Sequence, residues 1–229
     1  MEGKQQQRLH DGSSSRPVVR GVVFDMDGTL SVPAIAFSEM RRRLDIPDGD
    51  LLEVLDSWPE EKQAWGNKVL EEIEGDALKN LKLLPGVLEL AAYLDEMHIP
   101  RALITRNNAK SVIAMHERFF PDNNFAPALD RSFRPYKPNP AAIQHICKLW
   151  HMQPSEVVMI GDSPHDDVVS GSRAGSITIL LDTDKRFHGP DSPPHKDWLD
   201  EQEHQPTYIA ASMAEVQQIL SEKVALTPK

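Results

Sequence analysis

Residues 21–30 read Gly-Val-Val-Phe-Asp-Met-Asp-Gly-Thr-Leu, and no other stretch of the 229-residue chain restricts its fold so narrowly. Val22, Val23 and Phe24 make a short apolar run after a glycine, the pattern of a central parallel strand covered on both faces. Asp25 and Asp27 then fall where such a strand ends, and open α/β sheets bind their ligands beyond the carboxyl ends of their strands. Gly28 lets the backbone turn sharply at that point. Two acids this close cannot both be buried and charged without a cation or a shared proton.

The chain beyond residue 84 continues the alternation. Residues 101–105, 156–161, 177–181 and 208–210 are apolar strand candidates. Between them Val87, Leu90, Ala91, Leu94 and Met97 form one helical face, and Val112, Met115 and Phe119 mark another over 109–120. Pro140 suits the first turn of a helix whose buried stripe is Ile143, Ile146 and Trp150. A short helix stops near Gly175, and Ser212 and Glu215 have capping-box spacing for a last helix carrying Val216, Ile219 and Leu220. Strands alternating with helices predict a Rossmann-like parallel sheet with helices on both faces.

Residues 32–83 interrupt this pattern. Phe37, Met40 and Leu44 recur at helical spacing, Leu51, Leu52 and Leu55 follow a break at 47–49, and 60–74 is a third helical candidate, with no convincing strand among them. The expected organisation is therefore an α/β core built from 18–31 and 84–229, a helical insert over 32–83, and a disordered tail over 1–17, which is rich in Gln, Ser and charge. Residues 182–206, polar and proline-rich, are expected to be a mobile loop.

Charge and composition narrow the partners. A net charge of -10 argues against a nucleic-acid surface, because phosphate backbones recruit patches of Lys and Arg. No run approaches the ~18 apolar residues of a membrane span, so no membrane partner is expected. The single cysteine, Cys147, precludes an internal disulfide, suits a reducing compartment and has no arginine six residues on, so it reads as a buried helix residue. The first residues lack the apolar segment of a secretory signal. Cytoplasm is the expected location; Arg8, Arg16 and the nearby serines leave a plastid or mitochondrial targeting peptide as the alternative, with Glu2 and Asp11 against it. The sequence leaves the oligomeric state open.

Three more positions fall where the chemistry of the opening stretch would need them. Thr105 ends the strand candidate 101–105, Lys137 opens Lys-Pro-Asn-Pro before a helix, and Asp162 with Asp166 lies in Gly-Asp-Ser-Pro-His-Asp. Singly each reads as ordinary strand-end, solvent or turn chemistry. In this order, after Asp-x-Asp-Gly-Thr-Leu, they resemble the four motifs of the haloacid dehalogenase superfamily and span residues 22–181.

That resemblance implies a magnesium-dependent phosphomonoester hydrolase acting on a small phosphorylated metabolite. Asp25 would be the nucleophile that forms an aspartyl-phosphate, and Asp27 the acid–base that protonates the leaving group and then deprotonates water. Hard oxygen ligands suit magnesium, with a carboxylate oxygen of Asp25, the backbone carbonyl of Asp27, and Asp162 as the implied ligands. Thr105 would hydrogen-bond the phosphoryl group and Lys137 would neutralise it together with the nucleophile. Asp166 is expected to steady Lys137 or a metal-bound water, and Asp167 and Ser163 share that supporting role. The insert 32–83 sits where the superfamily often places a helical cap.

One departure stands out: many relatives have a small residue after the threonine, whereas this chain has Arg106 and then Asn107. Both are assigned to phosphate binding. Arg106 is expected to take a second anionic group of the substrate, helped by the Arg41, Arg42, Arg43 cluster, although three consecutive helical arginines cannot all point one way. His165 is expected to be an exposed loop histidine. Two further functions fit the same residues: a sugar phosphomutase, and an inactive binding module. Carbon–halogen hydrolysis is disfavoured because it has no use for Asp27.

Overall fold

The computed structural model describes residues 16–187 and 202–228. The expectation of a tail therefore falls almost wholly outside the described residues, as does most of the 182–206 loop. In chain order the elements are β1 (Val18–Val19), β2 (Gly21–Phe24), α1 (Phe37–Leu44), α2 (Leu51–Asp56), α3 (Glu60–Lys79), α4 (Val87–Glu96), β3 (Arg101–Ile104), α5 (Ala109–Phe119), β4 (Ala128–Leu129), α6 (Ala141–Trp150), β5 (Val157–Gly161), α7 (Val169–Ala174), β6 (Ile177–Leu181), β7 (Tyr208–Ala210), α8 (Met213–Glu222) and β8 (Ala225–Leu226). Six strands form one parallel sheet in the order β4-β3-β2-β5-β6-β7, with β2 at its centre.

The two-residue period of the strands divides the core into two layers. Val22, Phe24, Leu103, Val158, Ile160 and Ile179 point to one face, where Leu90 and Leu94 of α4, Met115 of α5 and Val216 and Leu220 of α8 cover them. Val23, Ala102, Ile104 and Met159 point to the other, against Ala142, Ile143, Ile146 and Cys147 of α6. These four helices bury most of the stripe their spacing predicts, with Met97, Phe119, Trp150 and Ile219 partly buried at its edge, and Cys147 is buried on α6 as expected; Phe37, read into the stripe of α1, is exposed. Helix α8 starts with the Ser212 hydroxyl accepting the Glu215 N–H at 3.2 Å.

Three differences from the sequence reading have simple causes. Strands β1 and β8 pair with each other in a separate two-stranded sheet, and β4 extends the main one; at two residues each, none is long enough to show a period. Helix α3 runs on to Lys79, past the apolar repeat that defines its first turns. The chain leaves the core and returns side by side, with the Val32 N–H donating to the Lys82 carbonyl at 2.9 Å and the Leu84 N–H to the Leu30 carbonyl at 2.9 Å. The segment between has an apolar cluster of its own, in which Met40, Leu44, Leu55, Val69 and Leu70 are buried together.

Ile143 is fully buried between α6 and the sheet. Ile143→Ala should lower the free energy of unfolding by ~2–5 kcal/mol, as cavity-forming truncations do, read as a shifted urea midpoint at unchanged slope.

Candidate active site

Strands β2, β3 and β5 end side by side, and their carboxyl ends deliver Asp25, Thr105 and Asp162 to one cavity of about 220 Å³. Asp27, Lys137 and Asp167 line the same space. After Asp25 the backbone turns at Gly28, whose φ of 81° suits glycine, and a side chain there would collide with the Asp162 carboxylate. The carbonyl of Met26 closes the turn by accepting the N–H groups of Leu30 and Ser31, both at 2.8 Å.

Lys137 is the hub. Only 4% exposed, its ammonium donates to Asp25 Oδ1 at 2.6 Å, to Asp167 Oδ1 at 2.6 Å and to the Ile104 carbonyl at 3.3 Å, which satisfies all three protons. Burial works against the charge, but Asp167 and then Asp25 outweigh it and hold Lys137 above its ordinary pKa. The carboxylates are also raised, which for them favours the neutral form. Burial lifts Asp25 to about 6, opposed by Lys137 and reinforced by Asp162. Burial and then Asp167 lift Asp162 to about 6, and burial lifts Asp167 to about 7 against the pull of Lys137. Lys137 faces the buried Asp25 and Asp167, and the half-buried Asp162 has Arg186 at 3.5 Å, so two cations meet three acids.

That surplus of negative charge suits a cation. Asp25, Asp162 and Asp167 each offer a carboxylate oxygen, and these atoms lie within 4.8 Å of one another. An all-oxygen donor set of this kind fits a hard divalent ion. The sequence reading had grouped Asp25 and Asp162 with the Asp27 carbonyl and left Asp167 outside the ligands; the fold brings Asp167 to the cluster.

Asp27 is held apart from that cluster. Its Oδ1 accepts the Ser31 hydroxyl at 3.2 Å, and its Oδ2 accepts the Asn107 side-chain amide in a short hydrogen bond. Burial still raises its pKa over these two contacts. Thr105 accepts the Asn107 N–H at 3.2 Å and keeps its own hydroxyl proton to donate.

Two expectations need correction. Lys137 is steadied by Asp167, whereas Asp166 pairs with Arg106 at 3.0 Å and with His165 Nδ1 at 2.9 Å. The cause is a π-helical turn over Pro164–Val168, in which the Val168 N–H reaches back five residues to the Ser163 carbonyl. From this turn it is Asp167 that reaches Lys137. Ser163 supports the turn: its N–H donates to Asp167 Oδ2 and its hydroxyl accepts the Asp166 N–H, both at 3.1 Å. Gly161 makes room, since a Cβ there would sit 2.1 Å from the Asp167 carboxylate. His165 is exposed, as expected.

The second correction concerns Arg106 and Asn107. Arg106 does not present a free guanidinium to the cavity; it closes on both oxygens of Asp50, the residue that caps α2, and on Asp166. Its expected helpers are occupied too. Arg41 donates to the carbonyls of Ile46 and Gly49, Arg42 binds Glu39, and Arg43 binds Glu72. Asn107 lines the cavity through its contact with Asp27. Sequence reasoning missed Glu74 and Arg131, a buried pair beside the site, in which Glu74 also accepts the Asn108 amide. Burial takes Glu74 up to about 7 against the pull of Arg131. No sequence pattern marks two residues 57 apart.

A family model described as haloacid dehalogenase-like hydrolase matches residues 19–175. The chain belongs to that family. It is 40% identical over 228 residues to a haloacid dehalogenase-like hydrolase domain-containing protein of Arabidopsis thaliana, covering 94% of this chain and 89% of the relative. It is 36% identical over 169 residues to an uncharacterized hydrolase of Saccharomyces cerevisiae, covering 71% and 77%. More distantly, it is 28% identical over 127 residues to a phosphoglycolate phosphatase of Haemophilus influenzae, covering 55% and 56%. The fold of this haloacid dehalogenase-like hydrolase is similar to the crystal structure of a predicted phosphoglycolate phosphatase from Haemophilus somnus, at a TM-score of 0.64 and 21% identity over 88% and 97% of the two chains. Among the described residues no helix is long and apolar enough to cross a membrane.

Two outcomes follow from this geometry. Asp167→Asn should cost far more activity than Asp166→Asn, because only Asp167 holds Lys137; equal losses in a steady-state assay would restore the original assignment. The second concerns pH. With folded-state pKa values raised above the ~3.9 of a free aspartate, the native state binds more protons than the unfolded chain between about pH 4 and 7, so this cluster's contribution to stability falls as pH rises. A divalent cation bound to the ionised cluster reverses that loss. Magnesium should therefore raise the melting temperature more at pH 8 than at pH 5, and a pH-independent increment would place the ion elsewhere.

Proposed function

We propose that this hydrolase is a magnesium-dependent phosphomonoesterase that turns over a small phosphorylated metabolite through an aspartyl-phosphate on Asp25. The observation that carries the reading is the arrangement around one cavity: Asp25 gripped by Lys137 through a single oxygen, and Asp27 two residues on, held separately by Ser31 and Asn107. Phosphoryl transfer needs little covalent work beyond a nucleophile, a proton donor and positive charge at the transferring oxygens. With Oδ1 committed to Lys137, the other oxygen of Asp25 is the one available to attack phosphorus.

Lys137 then faces both the nucleophile and the incoming phosphoryl oxygens, and Thr105 donates its hydroxyl to the same group. Asp27, kept protonated more readily than a free aspartate by its burial, gives a proton to the leaving oxygen. Once ionised, it takes a proton from the water that opens the aspartyl-phosphate, so the two half-reactions return the site to its starting state. Asp25, Asp162 and Asp167 would hold magnesium, whose charge would offset that of the phosphoryl oxygens. Relatives whose names include phosphoglycolate phosphatase support hydrolysis of a phosphate ester.

Asp25→Asn should abolish hydrolysis of p-nitrophenyl phosphate, and excess chelator should do the same to the unaltered enzyme; activity surviving either would move the nucleophile or remove the metal from the reading. Asp27→Asn should lose roughly 10²–10⁴-fold on alkyl phosphates, the usual worth of general acid–base catalysis, and much less on aryl phosphates, which leave without a proton. Equal losses on both would assign Asp27 to the fold or the metal.

A further inference from the structure

The reactive cavity does not end at the phosphoryl site. It shares Ile35, Phe37, Arg106, Asn107 and Asp166 with a second cavity of about 180 Å³ that runs between the helical insert and the core. A leaving group attached to a phosphoryl at Asp25 has this space beside it. Much of the wall is apolar, supplied by Met40, Leu51, Leu52 and Leu70 from the insert.

In the charged part of the wall each carboxylate is held by a guanidinium. Arg106 is bound by Asp50 and Asp166, and Arg131 is bound by Glu74. Arg41, the remaining guanidinium, donates to the Ile46 carbonyl at 3.2 Å and the Gly49 carbonyl at 2.8 Å, which holds it to the turn after α1. Three guanidiniums and three carboxylates line the cavity, and Arg106 and Arg131 between them hold all three carboxylates. A second anionic group on the substrate would have to compete with a carboxylate already seated on each of Arg106 and Arg131, and it would bring its charge against Asp50, Glu74 and Asp166. A hydroxyl meets the opposite situation, since carboxylate oxygens accept hydrogen bonds and the apolar wall takes carbon.

We propose that the leaving group of the natural substrate is an uncharged alcohol or polyol, and that the paired charges of the second cavity select against carboxylated and doubly phosphorylated esters. This rests on the phosphatase reading and adds the substrate class. It differs from the carboxylated ester for which the phosphoglycolate phosphatase relatives are named. Arg106 acts as a specificity-determining residue by being occupied: it ties the insert to the core and withholds its charge from the substrate. Asp50 is the residue that occupies it.

The test compares matched ester pairs with the unaltered enzyme and magnesium. 2-Hydroxyethyl phosphate and phosphoglycolate differ by one CH₂OH against one carboxylate, as do glycerol 3-phosphate and 3-phosphoglycerate. In each pair the neutral member should have a kcat/KM roughly tenfold or more higher, the scale expected when one substrate leaves charged groups unpaired. Asp50→Asn, which keeps a helix-capping side chain, and Glu74→Gln, which acts on the other pair, should each shift the ratio toward the carboxylated member several-fold. Turnover of p-nitrophenyl phosphate with equal or greater use of the carboxylated esters would overturn the substrate class while leaving the phosphatase reading standing. A ratio unmoved in both folded variants would overturn the role given to the charge pairs. No hydrolysis of p-nitrophenyl phosphate would overturn the phosphatase reading and this inference with it.

Discussion

Lys137 brings one positive charge into a space that the carboxylates of Asp25, Asp162 and Asp167 share, and the architecture around it answers that imbalance. An ammonium withdrawn from water is tolerated only if every proton finds an acceptor and opposite charge lies close. Asp25, Asp167 and the Ile104 carbonyl meet those conditions, and they come from the ends of β2, the turn after β5 and the end of β3. Three neighbouring parallel strands are needed to bring them together. Burial above all raises the pKa values of Asp25, Asp162 and Asp167, repulsion among the acids adds to it, and their three carboxylate oxygens make a donor set that fits a hard divalent ion.

A second set of ionic contacts seats the helical insert over the cavity. The core supplies cations and the insert supplies acids: Arg106 to Asp50, Arg131 to Glu74, Lys110 to Glu71, and Arg134 to Asp56. Pairs exposed to water contribute little each, whereas the Glu74–Arg131 pair is nearly buried and would be costly to break from one side. This arrangement fixes where the insert sits and also consumes the positive charge near the mouth of the site. The seating of the insert and the electrostatics of the second cavity thus depend on the same residues.

Much of the sheet was legible in the sequence because its strands are apolar runs bounded by turns, and their period assigns each side chain to a face. β6 and β7 coincide with the runs 177–181 and 208–210. The two-residue strands β1, β4 and β8 were not, since pairing at that length depends on what lies beside it. Asp25, Asp27, Thr105, Lys137 and Asp162 were legible as strand-end or loop positions in a fixed order. Asp166 and Asp167 were both expected in a supporting role, and which of them reaches Lys137 was not legible because the sequence gives no sign of the π turn over Pro164–Val168.

The sequence by itself determined the parallel α/β sheet and the helices within segment 32–83, which follow from short-range periodicity, and its resemblance to the haloacid dehalogenase motifs pointed to Asp25, Asp27, Thr105, Lys137 and Asp162 as residues of one site. Only the tertiary structure decided what each charge is paired with. Arg106 reads as a free cation next to Thr105, yet its partners are Asp50, 56 residues before it, and Asp166, 60 residues after it. Charge pairing across such separations is set by distances of a few ångströms between elements that meet only once the chain has folded, and electrostatic energy depends on those distances and on the exclusion of water rather than on order along the chain.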